Sequence, residues 1–204
     1  AMVVIMLLYL GNFLISGRIY PNVSTMGVSV GGQSVDNAAT MLRETWASDV
    51  MIDIVVEGDI YTSASPEEIG LTLDAESTAR AARDAGLRGV PFGHEVMPIV
   101  ELDYSTAQNY LLELAEVLEF PPSNASYVWS NGEIAGLPGQ TGRILNTNLS
   151  LEQMVQHTGE IARDGRFELL VTPLLPDVVD PDIYAEDVAE LLDKACIWHD
   201  VAAL

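Results

Sequence analysis

Residues 70–74, GLTLD, are restated at residues 142–146 as GRILN, and the reading of the fold turns on that restatement. Both steps follow a stretch with the marks of a hairpin. Before the first lies MIDIVVEGDIYTSA (51–64), with turn residues Glu57, Gly58 and Asp59; before the second lies SYVWSNGEIAG (126–136), with Asn131-Gly132 at its turn. Both steps also lead into a helix. AESTARAARDAG (75–86) is begun by Asp74 and closed by Gly86, while LEQMVQHTGEIARDG (151–165) follows Ser150, which with Gln153 reads as a capping box, and ends at Gly165. Further upstream each copy has an earlier helix, with Ala38 and Leu42 in the first and Ala107 and Leu111 at the corresponding places in the second. The offset is 69 residues at that helix and 72 at the Gly-x-x-Leu step, a drift that a short loop insertion explains. Two strand–helix–hairpin–helix copies, over 18–100 and 101–175, predict an α+β fold.

The remaining signals fit this frame. Val23, Thr25, Val28 and Val30 alternate as one short strand ending at Gly31-Gly32, a pair read as a turn because it lacks the Lys-Ser/Thr of a phosphate loop. Ser34 is placed to cap a helix whose Ala38, Met41, Leu42 and Trp46 share one face. SPEEIG (65–70) predicts a short helix with a Ser65–Glu68 capping box, Pro66 in its first position and Gly70 as its stop. FELLVTPLLPDV (167–178) predicts one more strand. Residues 176–204 predict a final helix, capped by Asp180 ahead of Pro181, that would open a further unit.

The chain has 204 residues, 49% of them hydrophobic, and a formal net charge of −21 from 30 acids and 9 bases. Lys194 is the one lysine. Such a surface repels nucleic-acid phosphates and excludes a nucleic-acid partner. The single cysteine, Cys196, excludes an internal disulfide framework. Residues 1–17 are almost wholly apolar and predict a transmembrane signal anchor, with the acidic remainder on the extracytoplasmic side. No catalytic set, metal site or cofactor motif emerges. His94, His157 and His199 stand apart in sequence; Cys196 and His199, one helical turn apart, lack a second half; and the acids at 177–187 are accounted for as a cap and first-turn residues.

Ile19, Pro21, Val23, Gly27, Val28, Val30, Gly31 and Gly32, followed by Ala38 and Leu42, form a motif that resembles the entry to a known family. It is the peptidoglycan-binding domain found upstream of VanW or L,D-transpeptidase domains in bacterial membrane-anchored surface proteins. SPEEIGLTLD and GQTGRILN resemble its later steps, with Asn22 where the family has Gly, Leu87 interrupting the Gly-Arg close and Asn146 in place of Asp. The resemblance spans about residues 19–180 and implies an α+β, non-catalytic, extracytoplasmic domain that contacts peptidoglycan. A −21 surface is repelled by anionic wall polymers, so contact would fall to neutral glycan stacked on aromatics. Trp129, Tyr127, Trp46 and Tyr61 are the candidates, Trp129 and Tyr127 sharing one strand face. The alternative is a single-span accessory or structural subunit of a larger membrane complex, using its acidic domain as a protein contact surface.

Overall fold

A computed structural model describes residues 16–89, 92–130 and 133–184, together with 187, 188, 190, 191 and 193. The expected anchor (apart from Ser16 and Gly17), the Asn131-Gly132 turn, Cys196 and His199 lie outside the described residues. Among the described residues no helix is long and apolar enough to cross a membrane. The chain is α+β, with four α-helices among the described residues. It divides into two compact units: the described residues up to Leu114 together with Asn146–Leu170, and Ala115–Leu145 together with the described residues from Val171 onward. These units cut across the two copies expected from the sequence.

In the first unit, β1 (Val23–Thr25) and β2 (Val28–Ser29) form a tight hairpin rather than one continuous strand. Met26 and Gly27 both have positive φ, 50° and 74°, the geometry of a two-residue turn whose twist matches the flanking strands. α1 (Val35–Ser48) follows, with the Ser34 hydroxyl accepting the Asn37 N–H at 3.3 Å as expected. β3 (Ile52–Val56) and β4 (Asp59–Ala64) form the predicted hairpin, turning at Glu57 and Gly58, again with positive φ. Ile54 pairs with Thr62 and Val55 with Ile60, so Tyr61 is the extra residue of a bulge.

SPEEIG forms its capping box but no helix. The Ser65 N–H and hydroxyl donate to the Glu68 carboxylate at 2.7 and 2.9 Å, yet only a turn results, because Gly70 at φ +80° redirects the chain before a helix can propagate. β5 (Leu71–Leu73) then pairs antiparallel with β7 (Val100–Leu102). α2 (Ala75–Asp84) lies against α1, and β6 (His94–Glu95) runs parallel to β1. Ile19, Val23, Val30, Ala38, Leu42 and Ala79, all wholly buried, belong to one apolar cluster that joins strand, α1 and α2. Small alanines at 75, 79 and 82 let the two helices approach closely. α3 (Tyr104–Leu118) contributes to this unit as far as Leu114, and α4 (Thr147–Asp164) and β11 (Arg166–Leu169) complete it. β11 runs parallel to β3, giving the sheet order β11-β3-β4.

The 70–74 and 142–146 steps agree down to individual hydrogen bonds. The Asp74 carboxylate accepts the Ser77 N–H at 2.9 Å, and the Asn146 side-chain oxygen accepts the Leu149 N–H at 3.2 Å. The Asp74 N–H donates to the Ile99 carbonyl at 2.9 Å, as the Asn146 N–H does to that of Leu170 at 2.8 Å. Four residues on, the buried hydroxyls of Thr78 and Ser150 accept the N–H groups of Ile99 (2.9 Å) and Leu170 (3.1 Å). Ser150 is therefore inside α4 and not its cap; Asn146 caps that helix instead.

The second unit is built on two antiparallel pairs, β8 (Ser126–Ser130) with β9 (Glu133–Leu137), and β10 (Gly142–Leu145) with β12 (Val171–Leu174). The single strand expected at 167–178 is thus two, β11 and β12, broken at Leu170. Arg143 donates to the Leu118 carbonyl at 2.9 Å and lies 5.1 Å from the centre of the Phe120 ring. The Asn124 side-chain oxygen holds the N–H groups of Asp177 and Val178 at 2.8 and 3.3 Å. Asp180 caps a 3-10 turn, Pro181–Tyr184, by accepting the Asp182 N–H at 2.9 Å.

Candidate functional site

A cavity of about 290 Å³ in the first unit is lined by Glu68, Thr106, Asn109, Tyr110 and Glu113. Its α3 residues fall at i, i+3, i+4 and i+7, which puts them on one helix face. Asp103 fixes where that face begins: its carboxylate accepts the Ser105 N–H at 2.9 Å, the Ser105 hydroxyl at 2.6 Å and the Thr106 N–H at 3.3 Å. Glu68 reaches the cavity from the 65–70 turn. Gly70 lets that turn sit directly on the start of α3, since a Cβ there would lie 2.7 Å from the Asp103 carbonyl oxygen and 3.1 Å from the Ala107 nitrogen. The Asp103 N–H donates to the Gly70 carbonyl at 2.8 Å and ties the two segments together.

The cavity's electrostatics follow from its lining. The Ser65 N–H, and then its hydroxyl, hold the Glu68 carboxyl below the usual range, so it stays ionised into mild acid. Burial, followed by the charges of Glu68 and Glu113, pushes the Tyr110 phenol above its ordinary value, so it remains a neutral O–H. The lining contains two carboxylates, a phenol, an amide and a hydroxyl, and no basic group. It can hydrogen-bond a ligand rich in hydroxyl and amide groups, and it repels carboxylates and phosphates.

The four aromatics singled out from sequence are elsewhere. Trp46 is 7% exposed and, with Arg43, Ala47, Glu67, Thr72 and Leu73, lines a separate cavity of about 290 Å³. Tyr61, at the β4 bulge, is 41% exposed. Tyr127 is half-buried on β8 opposite Gly136 in the second unit. The backbone of Trp129 pairs with Ile134, and its side chain lies outside the described residues. A third cavity, of about 220 Å³, lies between α4 and β11 and includes His157 and Glu160, 2.8 Å apart. None of these three cavities is lined by two of the four aromatics. His94 lies in β6 and His157 in α4, and among the described residues no group of three or more His, Cys, Asp or Glu is placed to hold a metal.

Sequence reasoning missed the Tyr110 cavity, although the polar spacing 106, 109, 110, 113 along a predicted helix was visible. No curated protein and no solved structure matches the chain. Residues 62–161, just under half of the chain, include all five residues of the Glu68–Tyr110 cavity, and they match a protein-family model described as "Putative peptidoglycan binding domain".

Proposed function

We propose that this chain is a non-catalytic peptidoglycan-binding protein, that the Glu68–Tyr110 cavity contacts the glycan, and that residues 1–17 hold it at the outer face of a cell membrane. The observation that carries the binding reading is the family match over 62–161, which encloses the whole cavity lining. The chemistry of the lining supports the glycan over the stem peptides: sugar hydroxyl and acetamido groups suit Asn109, Thr106 and the Tyr110 O–H, whereas stem-peptide carboxylates face Glu68 and Glu113. The apolar run at the N-terminus supports the anchor.

Co-sedimentation with purified sacculi tests the binding. The 204-residue chain in detergent is retained more strongly than an equally acidic control protein, and Asn109→Ala combined with Tyr110→Phe lowers that retention without changing the circular dichroism spectrum. Retention equal to the control removes the reading. The anchor is tested separately by alkaline extraction of membranes, in which the chain should stay with the pellet.

A further inference from the structure

β11 is the outer strand of the β11-β3-β4 sheet. The Asp53 N–H donates to the Gly165 carbonyl at 2.8 Å, and the register pairs Arg166 with Asp53 and Glu168 with Val55. In a parallel ladder, Asp53 and Val55 therefore bond to the residues flanking Arg166 and Glu168, whose own N–H and C=O groups turn away from β3. That outward edge is regular. The opposite edge, β4, is blunted by the Tyr61 bulge, one of the usual defences against strand addition. The cavity of about 220 Å³ runs beside β11, walled by Gln153, His157, Glu160 and Asp164 of α4. Room for an additional chain thus lies next to ladder groups that pair with no other strand among the described residues.

The charges say what kind of chain fits. The cavity carries the carboxylates of Glu160, Asp164 and Glu168 against one arginine, Arg166, whose guanidinium donates to the Gly58 carbonyl at 3.3 Å. Asp164 is held by Arg163 at 2.7 and 2.9 Å, and Glu160 by His157 at 2.8 Å. Among the described residues, Glu168 is left as the carboxylate available to an incoming cation, on a molecule of formal net charge −21. The geometry points to an extended segment of a partner protein, with a lysine or arginine where it passes Glu168, adding to the β11 edge as a fourth strand. A peptidoglycan stem peptide, which brings carboxylates of its own, fits this edge less well. The inference is independent of glycan binding, because β11 lies beyond residues 62–161.

Fluorescence anisotropy of the 204-residue chain with a labelled hexapeptide of alternating valine and lysine tests it. Saturable binding is expected, at least about tenfold weaker for the same peptide with N-methylated backbone amides, since ladder hydrogen bonds and not charge alone hold it. Glu168→Pro, which removes an outward N–H at an edge where proline is tolerated, should weaken binding by a similar factor. Glu168→Lys, which keeps the backbone, should weaken it severalfold. Equal binding of the N-methylated peptide overturns the proposal, and so does no binding of the parent peptide, including the case where an isolated stem peptide binds instead. Should Glu168→Pro fail to fold, the N-methylated peptide still decides.

Discussion

Thr25 and Thr78 are both wholly buried, and their hydroxyls have opposite consequences. Thr78 accepts the Ile99 N–H, so Thr78→Val strands a backbone donor in the core and should cost about 1–3 kcal/mol. Ser150→Ala strands the Leu170 N–H and should cost a similar amount. The Thr25 hydroxyl has no hydrogen-bond partner among the described residues, so Thr25→Val should be neutral or stabilising, because the valine removes a buried polar group and keeps the shape. Urea midpoints of the three variants check this; a loss at Thr25 as large as that at Thr78 would contradict it. The pairing of Thr78 with Ser150 was within reach of the sequence, since both stand four residues after Asp74 and Asn146. It went unseen because Ser150 with Gln153 also fits a capping box. A local motif outweighed the register of the repeat, and tertiary structure reversed that choice.

At the scale of elements, the sequence reports several helices and hairpins through the specific chemistry of their ends. Glu57-Gly58 and the Ser34 and Asp74 caps are of this kind, whereas Asp180 caps only the 3-10 turn Pro181–Tyr184. The sequence fails where a turn is imposed by its surroundings: Met26-Gly27 lacks the Asn/Asp-Gly signature, and SPEEIG has every start signal but meets Gly70 packed against α3. The site divides the same way, since the polar face of α3 is legible as a helical spacing. The approach of Glu68 to it depends on a long-range contact between Gly70 and Asp103 that no local pattern encodes. The helices capped by Asp74 and Asn146 also provide a natural comparison of caps. The Ser77 hydroxyl, and then its N–H, hold the Asp74 carboxyl below its ordinary 3.8, whereas Asn146 does the same structural work without titrating. A depressed folded-state pKa adds stability that is full above the ordinary value and lost as pH falls through the folded one. Asp74→Asn should therefore shrink the stability difference between pH 6 and pH 3, and Asn146→Asp should enlarge it. Urea unfolding at the two pH values reads both changes. A residual acid sensitivity remains in each variant, because Glu68, Asp103 and Asp164 are lowered as well.

For the whole molecule, charge sets the sign of an experiment on function. A basic wall-binding protein is drawn to the anionic sacculus and released by salt; a chain of −21 is repelled, so a specific contact must overcome that repulsion. Screening shortens the reach of the repulsion from about 30 Å at 0.01 M salt to about 3 Å at 1 M. The proposed hydrogen bonds from a neutral glycan to Asn109, Thr106 and Tyr110 would be little affected over the same range. Retention on sacculi should therefore rise with sodium chloride concentration before levelling off. Stripping teichoic acids from the sacculi should raise retention at low salt and flatten the dependence, because the repelling charge is removed while the glycan stays. The direction separates two ways of using the Glu68–Glu113 pair. If these carboxylates served to capture an ammonium group of the wall, added salt would weaken binding and teichoic-acid removal would change it little. If they serve to exclude anions while the neutral groups bind, the salt curve rises, as the absence of any basic residue in the cavity lining leads us to expect.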